Sequence, residues 1–162
     1  MEKTVEIVNG MRTVKMTNKH FVSKFATSFS ELSELPSNPK TGRLKYAIKR
    51  TLGSVQDAMD RYNQERQNIF EERAKMDEHG NPTFDKNKNY LFETKDLRKD
   101  AFKELDKLDR KLIELTVYPI KAENIVSGNK SLSIALELNL EGFILPSEEE
   151  VELLNELEKE KS

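Results

Sequence analysis

Apolar and polar positions recur with different periods along this chain, and each change of period marks an element. Val5-Glu6-Ile7-Val8 and Met11-Arg12-Thr13-Val14-Lys15-Met16 are β-prone runs separated by Asn9-Gly10. An Asn-Gly pair accepts the positive φ that a tight turn demands, so residues 1–16 are expected to form a β-hairpin. Thr17 or Asn18 then offers a helix cap. Phe21, Phe25, Phe29 and Leu32 follow at helical spacing, which predicts a helix over 18–34. Pro36, Pro39 and Gly42 break it.

The longest periodic segment comes next. Leu44, Ile48, Leu52, Val55, Met59, Tyr62 and Ile69 form one stripe, predicting a helix from about Arg43 to about Lys75. Gly53 sits within the stripe, and Arg66 interrupts it. A polar connector from Met76 to Tyr90, centred on His79-Gly80-Asn81-Pro82, leads to a second stripe. There Thr94 is the cap, and Leu97, Ala101, Leu105, Leu108, Leu112 and Leu115 continue the helical period. Two amphipathic helices joined by a polar connector bury their stripes most simply against each other. Residues 42–115 are therefore expected to form a long antiparallel helical hairpin. Its first helix would overhang the second by about ten residues, or about 15 Å.

Beyond Leu115 the period shortens. Thr116-Val117-Tyr118-Pro119-Ile120 is β-prone, with Pro119 confining it to a sheet edge. Leu132, Ile134, Leu136, Leu138 and Leu140 alternate with polar or small residues, so 116–145 reads as β segments. Ser147 and Glu150 stand at capping-box spacing, opening a C-terminal helix over 147–160 with Val151, Leu154 and Leu157 as its stripe. No internal repeat is evident. The expected fold is α+β, mainly α, in a single domain spanning 1–162. It comprises the helical hairpin, additional helices and a small antiparallel sheet drawn from the N- and C-terminal segments.

Composition sharpens this picture. The chain is 36% hydrophobic and 35% charged, which suits elongated helices with thin apolar stripes. It contains no Cys, which removes disulfides and thiolate metal sites. No apolar run approaches the roughly 20 residues that cross a bilayer, and Met1–Thr17 lacks the apolar core of a signal peptide. A protein that is neither secreted nor transmembrane is expected. With 27 Lys+Arg against 29 Asp+Glu, the net charge of −2 disfavours a general nucleic-acid binder.

The charges are segregated. The first third is basic, while Glu148, Glu149, Glu150, Glu152, Glu156, Glu158 and Glu160 make the last stretch acidic. Intramolecular balance is the simpler reading, and head-to-tail assembly between copies is the alternative. Arg43, Lys45, Lys49 and Arg50 form a compact basic cluster at the start of the long helix, where positive charge opposes the helix dipole. They are the candidate partner-binding residues.

No catalytic, cofactor or metal constellation is legible. His20 and His79 lack ligands at helical spacing. Asp77 to Asp85 fails the calcium-loop spacing, because Gly80 stands fourth rather than sixth and Lys88 holds the twelfth position. The six glycines never cluster into a phosphate cradle. The expectation is a non-enzyme with no cofactor and no small-molecule substrate.

One further likeness concerns order. Gly42-Arg43-Leu44-Lys45-Tyr46-Ala47-Ile48 opens a long helix carrying Glu65-Arg66-Gln67, and Asp77-Glu78-His79-Gly80-Asn81-Pro82 connects it to a helix with Phe102-Lys103-Glu104-Leu105. Val117-Tyr118-Pro119-Ile120 and an acidic Leu-rich segment follow. Over roughly Phe21 to Leu157 this arrangement resembles small proteins of unknown function encoded by tailed bacteriophages. The Asn9-Gly10 hairpin and a longer 125–145 region depart from that pattern. The resemblance implies a viral protein, in the virion or the host cytoplasm, that acts by protein–protein contact or self-association as a virion or assembly component. A phage-encoded modulator of a host protein is the alternative it leaves open. It implies no catalytic residue.

Overall fold

The computed structural model describes residues 10–34, 42–121 and 134–145, and its first strand is Arg12–Thr17 (β1). Thr17 Oγ1 accepts a hydrogen bond from the His20 amide, so the expected cap starts the first helix, α1. α1 runs from Asn18–His20 through a π turn at Phe21–Phe25 into Ala26–Ser33, with the Ala26 amide bonded to the Phe21 carbonyl. Phe21, Phe25, Phe29 and Leu32 are all buried, as their spacing predicts. Phe29 meets Phe143 edge-on at 5.4 Å between ring centroids.

The long helix α2 spans Gly42–Glu71 and buries Leu44, Ala47, Ile48, Thr51 and Val55 against the core. It ends before Lys75, where the sequence pattern carried it: the Arg73 amide tightens onto the Phe70 carbonyl three residues back, and the Lys75 amide leaves the helical ladder for the Leu91 carbonyl. Helix α3 spans Lys95–Arg110, with Thr94 Oγ1 accepting from the Leu97 amide. Tyr62 of α2 donates to Asp109 at 2.8 Å, and Arg73 just beyond α2 meets Asp100 at 2.7 Å.

Strand β2, Leu112–Val117, pairs antiparallel with β1 in the register Arg12↔Val117 to Thr17↔Leu112. Val14, Met16, Leu115 and Val117 point inward, while Lys15 and Glu114 lie outside as an exposed ion pair. The outer edge of β2 is covered by hydroxyls of α2: the Thr116 amide donates to Ser54 Oγ and the Tyr118 amide to Thr51 Oγ1. Ile120–Lys121 (β3) pairs in parallel with Ile144–Leu145 (β4), and a short helix α4 at Ile134–Asn139 precedes β4. The fold is mixed α+β, mainly helical, with a small antiparallel sheet.

Two expectations are corrected. Leu112 and Leu115 do not extend the helical stripe. The helix caps at Lys111, whose ψ of 132° turns the chain into a strand, and β-branched Ile113, Thr116 and Val117 favour that strand. The expected helical segment 42–115 is thereby cut at Arg110. Ile134–Asn139 is helix rather than strand. Leu136 and Leu140 stand four apart as well as two plus two, so short alternation does not separate the periods. The fixing contacts are tertiary: Asn139 donates to Ser28 Oγ and its carbonyl lies 3.1 Å from His20 Nε2. β1 takes its partner from residues 112–117. The expected first strand of the Asn9-Gly10 hairpin and the helix expected over 147–160 lie outside the described residues. The start of α2, expected to overhang, is covered by α1 and β2.

Candidate protein-interaction surfaces

At the far end of α2 the connector folds into a cap built from one turn used twice. Asp77 Oδ1 accepts from the His79 and Asn81 amides, both at 2.9 Å. Eight residues later Asp85 Oδ1 accepts from the Asn87 and Asn89 amides at 2.8 and 2.9 Å. In each turn the fourth residue takes positive φ, 78° at Gly80 and 64° at Lys88, and its amide returns to the aspartate carbonyl. Met76 bridges Pro82 and Phe84 bridges Tyr90 at the two bases. The aspartates act as turn locks, which is why their spacing fits no calcium loop. Asp85 is held below the usual carboxylate range by the amides of Asn89 and Asn87.

The turns are joined in a closed ring of three backbone bonds, two spanning eight residues and the third sixteen. The Thr83 amide donates to the Lys75 carbonyl at 2.9 Å, Leu91 to Thr83 at 3.0 Å, and Lys75 to Leu91 at 2.8 Å. An internal repeat thus exists where the hydropathy pattern reveals none. Its signal is an apolar residue before each aspartate and an asparagine four positions after it: Met76-Asp77 with Asn81, and Phe84-Asp85 with Asn89.

This cap holds a row of aromatic rings. Phe70, buried at the end of α2, stacks on Tyr90 at 5.2 Å and meets Phe102 edge-on at 5.7 Å. Tyr90 in turn packs on Phe84 at 4.7 Å. The row ends on two half-exposed rings, Phe84 at 48% and Phe102 at 49%. Arg66 lies 5.0 Å over Phe70 and Arg98 5.7 Å over Phe102. Neither guanidinium has a carboxylate within 4.0 Å among the described residues. Arg66, which breaks the apolar stripe in sequence, thereby belongs to the aromatic tip. Comparison with family models finds no match, and no curated protein or solved structure gives a significant one.

The basic cluster at the start of α2 is divided by the helical period. Lys45 turns toward α1 and donates to the Ser33 carbonyl at 3.0 Å. Arg50 sits on the other flank, 5.8 Å from the rings of both Tyr46 and Tyr118, and donates to Tyr46 Oη. Tyr46 and Tyr118 meet edge-on at 5.2 Å. Arg43 and Lys49 are exposed beside them, without a carboxylate within 4.0 Å among the described residues. By the helical period Arg43 and Arg50 share one flank with Tyr46, while Lys49, four residues from Lys45, lies between that flank and Lys45.

Other concavities offer little chemistry. An open groove of about 380 Å³ between α1 and α2 is lined by Val22, Ala26, Thr27, Ser30, Glu31, Glu34 and Met59. His20 stands at the α4 contact and His79 in an exposed turn. Among the described residues no three His, Asp or Glu converge as a metal site, and no helix is long and apolar enough to cross a membrane.

Proposed function

We propose that this protein acts without catalysis, through protein–protein contact, as a virion or virion-assembly component of the kind tailed bacteriophages encode. In this reading the two long helices work as one helical hairpin, an arm that presents the aromatic tip. One observation carries it: two half-exposed phenylalanines, and two arginines with no carboxylate within 4.0 Å among the described residues, are gathered where α2 and α3 meet a cap whose backbone is bonded in a ring. Exposed aromatics beside arginines are the composition of interface hot spots. The order of helices, connector and β-prone segment supports the phage setting.

The test is mass spectrometry of purified particles and assembly intermediates of the phage that encodes the chain. Recovery at stoichiometric level, with assembly lost in a Phe84→Ser/Phe102→Ser variant that folds normally, is the expected result. Absence from particles and intermediates alike overturns the reading.

A further inference from the structure

Helix α3 is lightly covered. Of its sixteen residues only Ala101 and Leu108 are buried, and Phe102 stands 49% exposed. Counting outward from Phe102 by helical steps of four and three, Arg98 and Lys95 precede it, and Asp106 and Asp109 follow. These five residues share one flank, on which Lys95, Arg98 and Asp106 are exposed and Asp109 is half-buried. The flank therefore reads as two cations, an aromatic ring and two carboxylates, placed symmetrically about the ring.

Those two cations are the ones that α3 itself leaves unmatched. The positions three and four away from Arg98 are Thr94, Lys95, Ala101 and Phe102, and those from Lys95 are Leu91, Phe92, Arg98 and Lys99. None of them is acidic, whereas every other cation of α3 has an acid at such a spacing. Arg98 is held over the Phe102 ring, and neither it nor Lys95 has a carboxylate within 4.0 Å among the described residues.

We propose that this flank is where two copies of the chain meet, α3 against α3 in antiparallel order about a two-fold axis at Phe102. The inference rests on reading the aromatic tip as a contact surface and names its occupant. About such an axis, a residue any number of places after Phe102 faces the residue as many places before it. Arg98 then meets Asp106 of the second copy and Lys95 meets Asp109, about 6 Å and about 10 Å from the axis. The symmetry makes each contact twice and sets the two Phe102 rings together. Parallel order would instead oppose Arg98 to Arg98 and Asp106 to Asp106, so charge selects the antiparallel one. A self-complementary order is what an isologous contact requires, and an unrelated partner has no need of it. The pair that Asp106 makes with Arg110 at 3.0 Å competes little, being an i,i+4 contact between exposed side chains.

Sedimentation equilibrium of the full chain, from low to high micromolar concentration, should show a monomer–dimer equilibrium. Arg98→Asp alone and Asp106→Arg alone each set like charges together on both sides of the axis. Each should weaken the dimer by about tenfold or more, with the far-UV circular dichroism unchanged. Mixing the two variants brings opposite charges back to both contacts between positions 98 and 106, so the mixture should form a heterodimer at close to the parental affinity. A monomer at every concentration overturns the inference. So does a dimer indifferent to both charge reversals, or a mixture that associates no more tightly than its components. Particle composition tests the virion reading separately. A chain present in particles but monomeric in solution refutes the self-contact alone, and a dimer absent from particles and intermediates refutes the virion role alone.

Discussion

The hydroxyl of Thr51, fully buried on the long helix, accepts a hydrogen bond from the Tyr118 amide at 2.9 Å. That single bond ends the open edge of β2 and fixes where the chain turns toward β3. One helical turn away, Ser54 does the same for Thr116. A helix thereby closes a sheet edge that would otherwise present unpaired amides.

Replacing Thr51 with Val keeps the volume and removes the acceptor, leaving the Tyr118 amide unsatisfied. The expected cost is about 1–3 kcal/mol, read as a lower urea midpoint at unchanged slope. Thr51→Ser retains the acceptor and should lose less. Equal losses in the two variants would mean that the methyl packing, rather than the bond, matters there.

The two turns of the cap make opposite predictions at equivalent positions. Lys88 holds φ 64° with a side chain that disfavours it, so Lys88→Gly should stabilise by about 0.5–1 kcal/mol. Gly80 holds φ 78° with open space where a Cβ would stand, so Gly80→Ala should destabilise by about 1–2 kcal/mol through backbone strain alone. Thermal unfolding of the two variants beside the parent reads both signs.

Tyr62 is held protonated well above the ordinary tyrosine value, at about 12, by burial and by its hydrogen bond to Asp109. A folded-state value raised above the unfolded one means that the folded chain retains the proton as the unfolded chain loses it. The contribution to stability is therefore complete below about 10 and disappears as pH rises toward 12. Ultraviolet titration of the phenolate should resolve one tyrosine ionising at about 12, and Tyr62→Phe should remove that step.

Asp85 carries the opposite sign. Its carboxylate is stabilised by the Asn89 and Asn87 amides, so its folded-state value is lowered. The turn is locked above the unfolded-state value and released as pH falls through the folded-state one. Amide chemical shifts of Asn87 and Asn89 should titrate together on acidification and should lose that dependence in Asp85→Asn.

Much of the helical scaffold is legible in the sequence because long stripes average over many residues. Phe21, Phe25 and Phe29 announce α1, and the Leu44–Val55 stripe announces α2, before any contact is known. Short segments are not legible in this way. Leu136 and Leu140 satisfy both periods, and Leu112 and Leu115 continue a helical step by coincidence while lying in a strand. The basic cluster is visible as composition, yet only the direction of each side chain separates Lys45 from Arg50. The aromatic tip is hidden because its members, Phe70, Phe84, Tyr90 and Phe102, come from three elements and follow no common period.

The register of the small sheet has a kinetic consequence. Arg12 opposite Val117 joins positions roughly a hundred residues apart. Both long helices rest on local contacts and can form in well under a millisecond, whereas this pairing must close a loop of about two-thirds of the chain. Protection of the Val14 and Leu115 amides should therefore arrive last during refolding. Until it does, the inward faces of β1 and β2 stay open to other chains, so the slowest step is also the one at which this protein is most prone to aggregate.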